Sequence, residues 1–303
     1  MSQILVIGSA NADHVMKFEY LPAAGQTLMS RDYRLEQGGK GANQAVACAR
    51  LAKSGSRTDF ICHLGQDSIG DDMRQSWMKD GISAEGIRQI AGLSTGTAMI
   101  FIGDNGENTI GVAAGANASL SPDDLEAHYA LFANAEYLLT QLETPAATVA
   151  KALQIAKNLG VTTVLNPAPA TALGQDVLKW VDIITPNETE AEALTGVEIN
   201  HIDDAHMAAQ LLHQQGVKIV VITLGSRGAF ISSPGFNGLI PAFEVQAIDT
   251  VAAGDTFNGA LVVGLSEGMS IAAAVGFANA ASAITVTRPG AQRAIPYRQE
   301  LSY

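Results

Sequence analysis

Asp249 and Asp255 bracket a run of small residues, Thr250-Val251-Ala252-Ala253-Gly254. The apolar run 243–248 reads as a strand leading in, and the run 256–267 reads as a helix leading out. Backbone N–H groups at a helix N-terminus have no intrahelical partner and point outward, so they can hold an anion. Asp255, in the first helical turn, could take a proton from a hydroxyl beside that anion. Anion hole and base together are the minimum equipment for phosphoryl transfer to an alcohol.

Four other stretches carry chemistry-bearing residues. Asn11-Ala12-Asp13 follows the first apolar run; at the carboxyl end of a strand these side chains suit a polar ligand, and a plain turn or N-cap pair fits them equally. Gly38-Gly39-Lys40-Gly41-Ala42-Asn43-Gln44 puts three glycines before a helix, which permits close backbone approach to a ligand or merely a tight turn. Its Asn43 can both donate and accept, as sugar hydroxyls require. The stretch is neither a P-loop nor a G-x-G-x-x-G fingerprint, because Gln44 stands where the last glycine would be. Thr185-Pro186-Asn187-Glu188-Thr189-Glu190 opens an acidic first helical turn, favoured by the helix dipole alone or by a phosphate-bound cation nearby. Thr223-Leu224-Gly225-Ser226-Arg227-Gly228 follows the strongest apolar run and reads either as a hairpin entry or as backbone passing close to a flat or anionic group.

These stretches need a scaffold, and the intervening pattern supplies one. Strand-length apolar runs occur at 4–8, 59–64, 137–142, 162–165, 183–185 and 218–224, with helix-like segments at 42–52, 69–79, 122–133, 145–158, 188–194 and 204–214. Such alternation predicts a mostly parallel sheet covered on both faces, and several runs are apolar throughout, as doubly buried strands are. Segments 14–36 and 96–112 break the pattern: they look like extended strands, the second turning at Gly103-Asp104-Asn105-Gly106. Together they predict a small β-layer beside the main sheet, a candidate lid. Another hairpin is expected over 229–243, turning near Pro234-Gly235.

The 303 residues are 47% hydrophobic with a formal net charge of −12, which argues against nucleic acid or an anionic membrane as the main partner. Cys48 and Cys62 read as small buried apolar residues. The run 270–287, Ala-rich and interrupted by Asn279, Ser282 and Thr285, reads as a buried helix and not a membrane span. With no basic region ahead of the first strand, a cytoplasmic location is expected.

Over essentially its whole length the chain resembles the phosphofructokinase-B-type carbohydrate kinases. Residues 38–43 look like that family's first signature and 249–255 like its second, with Ala252 where many members have glycine. Asn11-Ala12-Asp13, Gln141-Leu142-Glu143, 187–190 and 223–228 match its ribose-phosphorylating branch. The resemblance implies a single α/β domain over 1–303: a three-layer α/β/α sandwich with a mostly parallel central sheet and a small β-sheet lid from about 14–36 and 96–112. It implies ATP-dependent phosphorylation of D-ribose at O5. Asn11, Asp13, Gly39, Lys40, Asn43 and Glu143 would bind the sugar and Asp255 would be the base. N–H groups of Ala253, Gly254 and Asp255 would form the anion hole. Asn187, Thr223, Gly225, Ser226, Gly228, Gly254 and Asn279 would contact ATP, and Glu190 would help place Mg²⁺ through water. Asp249, with carbonyls of Val251, Thr285, Arg288 and Gly290, would hold an activating monovalent cation, usually K⁺. A homodimer packed through the lids is implied as well.

Two positions depart from close members of the family: Asn279 stands where a histidine lies near the adenine, and Ala294 where a serine hydroxyl would complete the cation shell. A catalytically dead sugar sensor is disfavoured, since Asp255 and Gly254 are both present. A sugar-phosphate kinase needs extra cations, and 96–112 contains no Lys or Arg; Lys17, Arg31 and Arg34 in the other lid segment could face solvent. A nucleoside kinase needs an aromatic pocket, for which Phe18, Tyr20, Tyr33 and Phe101 are available. Other small sugars, among them 2-deoxyribose and a ketohexose, stay open.

Overall fold

The structure is a computed structural model describing residues 2–301. Its strands, in chain order, are β1 (Gln3–Ile7), β2 (Asn11–Phe18), β3 (Asp32–Gly38), β4 (Arg57–Gly65), β5 (Ile82–Ser83), β6 (Ile87–Ile90) and β7 (Gly96–Gly103). They continue with β8 (Asn108–Ala113), β9 (Tyr137–Thr140), β10 (Thr162–Leu165), β11 (Ile183–Ile184), β12 (Ile219–Thr223), β13 (Ala229–Ser233) and β14 (Phe236–Ile240). The α-helices are α1 (Lys40–Leu51), α2 (Ser68–Lys79), α3 (Pro122–Ala127), α4 (Tyr129–Asn134) and α5 (Ala146–Asn158). After them come α6 (Gln175–Leu178), α7 (Glu188–Thr195), α8 (Ile202–Gln214), α9 (Ala253–Ser266) and α10 (Ile271–Val286).

The main sheet runs β14-β13-β12-β11-β10-β9-β1-β4-β5, with β6 also paired to β4. From β12 to β5 its neighbours are parallel, and β13 and β14 close one edge as antiparallel hairpins. Residue alternation along β1 splits the core in two. Ile4 and Val6 pack with α1, α2, α9 and α10 on one face; Leu5 and Ile7 pack with α3, α4, α5 and α8 on the other. That is the expected three-layer sandwich, built because a strand with apolar residues on both sides must be covered on both.

A separate four-stranded sheet, β3-β2-β7-β8, is made from the two segments that broke the strand–helix pattern. In it β2 pairs antiparallel with β3 and parallel with β7, and β7 turns back into β8 at the expected hairpin. The second hairpin also forms, as β13 and β14.

Two expectations are corrected. The run 243–248 is not a strand. β14 ends at Ile240, Pro241 has no N–H to donate, and the following backbone leaves the sheet; Ile248 is 68% exposed and its N–H bonds Val286 O at 2.7 Å. The helix read over 122–133 is two helices, parted at His128, whose φ of −105° and ψ of 21° lie outside the helical range. The buried helix over 270–287 does form, as α10. Among the described residues no helix is long and apolar enough to cross a membrane, and both cysteines are buried and free.

Candidate active site

The helix α9 opens on Ala252, whose φ of 60° makes it the non-glycine residue with a left-handed backbone among those described. That conformation costs an L-residue roughly 1–2 kcal/mol and turns the chain sharply into the helix. The Ala253 N–H is spent on Thr250 O at 3.3 Å, whereas those of Gly254 and Asp255 meet no acceptor among the described residues. Of the three N–H groups expected to face an anion, two are thus free, and Ala253 would have to loosen its turn to join them.

Asp255 is buried, and both its oxygens are held from α1. Asn43 Nδ2 donates to Oδ2 at 2.9 Å and Gln44 Nε2 donates to Oδ1 at 3.0 Å. Burial pushes its pKa up; the Lys40 ammonium and the two amide donors oppose that, and Glu143 adds to it. Helix α1 can lie this close to α9 because Gly259 has no side chain: a Cβ there would fall 2.5 Å from Ala47 Cβ.

The glycines at the start of α1 serve internal packing. A Cβ on Gly38 would fall 2.0 Å from Asp13 Oδ2, and one on Gly41 would fall 2.5 Å from the Gly8 carbonyl carbon. Gly39, with φ of 88°, lies against Ala10 and Asn11. The close approach read from the glycines is therefore first of all to the protein's own chain.

Asn11, Asp13, Gly39, Lys40, Asn43, Glu143 and Asp255 line one cavity of about 420 Å³. Asn11 Oδ1 accepts from Asn117 Nδ2 at 2.8 Å. Glu143 Oε2 accepts from Ser9 Oγ at 2.5 Å and from the Lys40 N–H at 3.0 Å, and so pins the start of α1. Asp13 faces Glu36 across the β2–β3 ladder. Burial first, then Glu143, Glu36 and Asp255, push its pKa up to about 7, against the opposing Lys40. Lys40 is itself held above its ordinary value: burial would lower it, but Asp255, Glu143, Glu190 and Asp13 outweigh that. From the small sheet, Ala98, Ile100, Ile110 and Val112 form the cavity's apolar wall.

Asn187, Thr223, Gly225, Ser226, Gly228, Gly254 and Asn279 line a neighbouring cavity of about 630 Å³, together with Ala253 and with Phe243, Val245 and Ala247 of the segment that left the sheet. The two cavities share Asn187, Thr223, Thr250 and Gly254, so the free N–H of Gly254 lies where they join. Asn187 and Glu190 form a reciprocal capping box: Asn187 Oδ1 accepts from the Glu190 N–H at 2.8 Å, and Glu190 Oε2 accepts from the Asn187 N–H at 2.9 Å. Glu190 also lines the first cavity, and burial raises its pKa. Asn279 donates to Ile240 O and Pro241 O at 3.2 and 3.0 Å, anchoring the end of β14 to α10.

Behind the helix start, Asp249 Oδ2 accepts from the Gly290 N–H at 2.9 Å and Oδ1 from the Val251 N–H at 3.1 Å. The segments carrying Val251, Arg288 and Gly290 thus meet around this carboxylate, with Thr285 O accepting from the Arg288 N–H at 3.1 Å. Ala294, four residues after Gly290, is fully buried and offers no hydroxyl. Arg34 of β3 lies 3.8 Å from Asp249 Oδ2. Among the described residues no three His, Cys, Asp or Glu side chains are gathered to grip a metal ion.

Sequence reasoning missed Ser9, Gln44 and Asn117, and also Asn166 and Asn258, which line the smaller cavity. Asn166, one residue past β10, could have been found from its place at the carboxyl end of a parallel strand. Asn117, in the stretch Ala114-Gly115-Ala116-Asn117 with no periodicity, offers no such signal.

The pfkB family carbohydrate kinase model matches residues 1–298. The chain belongs to that family. Among its relatives is a ribokinase of Haemophilus influenzae, 48% identical over 297 residues that cover 98% of this chain and 96% of the relative. A solved ribokinase structure from Thermotoga maritima superposes with a TM-score of 0.90 at 36% identity, covering 99% of this chain and 98% of the other. The structure of Arabidopsis thaliana ribokinase complexed with ribose and ATP gives 0.89 at 33% identity, with 99% and 98% covered. The polar cavity and the apolar-rimmed one meet at the N-terminus of α9.

Proposed function

We propose that this carbohydrate kinase transfers the γ-phosphoryl group of ATP to O5 of D-ribose. The observation that carries the choice of a neutral sugar is the charge around the smaller cavity. Asp13, Glu143, Glu190 and Asp255 face it, with Lys40 as its basic side chain. A second phosphate on the acceptor would meet repulsion there. Arg31 is engaged instead with Glu19 and Asp104, and Arg34 with Glu36 at 2.8 Å. A nucleoside acceptor is disfavoured because no aromatic side chain among the described residues lines the cavity; Phe18 and Phe101 pack edge-to-face on each other at 5.4 Å.

In this reading Asp13, Asn11, Asn43 and Glu143 bind the sugar hydroxyls and aim one of them at Asp255. Asp255 takes that hydroxyl's proton as the oxygen attacks in line. Charge that develops on the transferring group falls at the α9 N-terminus, where Gly254 and Asp255 present free N–H groups. Asn187, Thr223, Gly225, Ser226, Gly228 and Asn279 contact the nucleotide. Mg²⁺, arriving with the nucleotide, would neutralise phosphate charge, with Glu190 ordering its water. Asp249 and the carbonyls of Val251, Thr285, Arg288 and Gly290 are hard oxygen donors suited to a monovalent cation such as K⁺. The small sheet acts as a lid whose Ile110 and Val112 exclude water from the acceptor. On its other face the exposed Met99, Leu35 and Tyr33 suit packing against a second copy, giving a homodimer. The chain is one domain of 1–303 with the lid as its appendage, working in the cytoplasm.

The test is ADP release over ribose, 2-deoxyribose, fructose, fructose 6-phosphate and adenosine. Ribose is expected to give the highest kcat/KM. A preference for fructose 6-phosphate or adenosine would overturn the reading.

A further inference from the structure

Gln44 is fully buried and lines neither cavity, yet its amide touches the proposed base. Its Nε2 carries two protons and has two acceptors, Asp255 Oδ1 and Asn166 Oδ1, each at 3.0 Å. Its Oε1 accepts from Gln141 Nε2 at 2.5 Å. The amide is therefore fully used and its orientation over-determined: the oxygen must face the Gln141 donor, so the nitrogen must face Asp255. The neighbours are fixed in turn. Asn166 Nδ2 donates to Thr185 O at 3.2 Å, and a Cβ on Gly8 would fall 2.0 Å from Gln141 Oε1, so glycine there leaves room for that side chain.

We propose that Gln44 is the positioning residue of the base: its amide fixes the Asp255 carboxylate and supports its ionised form, leaving Oδ2 and Asn43 to face the acceptor. A protonated Asp255 cannot take a proton. An amide N–H donated to a carboxylate favours ionisation, and in a buried site where burial works the other way such a donor matters more than it would in water. The other charged groups facing Asp255 are Lys40 from the start of α1, Asp13 from β2, Glu143 after β9 and Glu190 from α7. Of these only Lys40 favours the ionised base. Gln44 and Asn43 supply the remaining support, and Gln44 does so from outside the cavity, where no substrate can displace it.

The inference rests on Asp255 being the base, and the experiment separates the two claims. The kcat at saturating ribose is measured from pH 5.5 to 9 for wild type, Gln44→Leu, Gln141→Leu and Asp255→Asn. Loss of one hydrogen bond to a charged group is worth about one to two pKa units. Since removing the donor favours the protonated form, the acidic limb of kcat in Gln44→Leu moves upward by about that much, with the ribose KM within about twofold of wild type. Gln141→Leu, which frees the Gln44 amide to turn, moves the limb the same way by less, and decides alone if Gln44→Leu does not fold. A limb that stays in place while kcat falls equally at every pH overturns the positioning role and leaves the base intact. Near wild-type turnover in Asp255→Asn overturns the base, and the positioning role with it.

Discussion

Asn43 and Asp255, 212 positions apart in the chain, meet at 2.9 Å through Nδ2 and Oδ2. This contact brings the first family signature onto the second, and it needs α1 and α9 to cross where Gly259 leaves room for Ala47. A carboxylate held from two sides and buried beside two unpaired N–H groups is set up to accept a proton and not to bind a sugar tightly. Asp255→Asn is nearly isosteric, so it is expected to lower kcat by about 10²–10⁴-fold, the usual worth of a positioned base, with the ribose KM largely kept. Steady-state kinetics with purified variant decide it.

Asp13 carries a cost that its proposed role in binding the sugar would explain. Its carboxyl takes a proton near pH 7 in the folded protein, against 3.8 ordinarily, chiefly through burial and the neighbouring Glu143, Glu36 and Asp255. A group whose pKa rises on folding favours the folded state while protonated. That contribution is complete below about 3.8 and is lost as pH rises through about 7. Asp13→Asn is therefore expected to raise Tm at pH 8 relative to wild type, with a smaller gain at pH 5. It also raises the ribose KM at pH 8, because a carboxylate accepts sugar hydroxyls better than an amide does. Thermal melts and KM measured at both pH values test the pair of effects.

Gly38→Ala tests what the glycine run is for. The new Cβ would overlap Asp13 Oδ2, and the carboxylate must move to make room. Overpacking of this kind costs about 1–3 kcal/mol, and if that cost falls on sugar binding, the ribose KM rises by roughly 5- to 150-fold. The ATP KM is expected to stay close to wild type, since Gly38 does not line the larger cavity, the proposed nucleotide side. An equal rise in both KM values would mean that the substitution disturbs the whole fold.

The sandwich was readable because its strands and helices are long runs of one period, and β1 shows why: Ile4, Leu5, Val6 and Ile7 are all buried, a pattern only a doubly covered strand needs. The small sheet was readable from the failure of that same pattern and from one strong turn. The run 243–248 misled because alternation signals a strand only where a partner edge exists, and Pro241 takes the backbone away from β13. Motif residues of the site were legible by resemblance, each lying in a short local stretch. Gln44, Asn117 and Asn166 were not, because their roles come from partners about a hundred or more positions away, and a single buried amide leaves no periodic trace. Gln44 does lie within a glycine-rich motif, but there its identity signals only that the last glycine of a G-x-G-x-x-G fingerprint is absent.

Asp249 accepts from the N–H groups of Val251 and Gly290, so its carboxylate ties the start of the second signature to the segment after α10. A monovalent cation held by Asp249 and the surrounding carbonyls would stiffen the turn through Ala252 that presents the Gly254 and Asp255 N–H groups. K⁺ is expected to raise kcat more than Na⁺ does, and to raise Tm more as well, since an ion bound only by the folded state stabilises it. Ala294→Ser adds a hydroxyl at a fully buried position four residues after Gly290. One added oxygen ligand, worth about 1 kcal/mol, lowers the half-activating K⁺ concentration roughly fivefold. Titration of kcat and of Tm with KCl and NaCl, in wild type and in Ala294→Ser, distinguishes the possibilities. Indifference of both proteins to both ions would remove the cation from this site and leave Arg34, 3.8 Å from Asp249 Oδ2, as its resident positive charge.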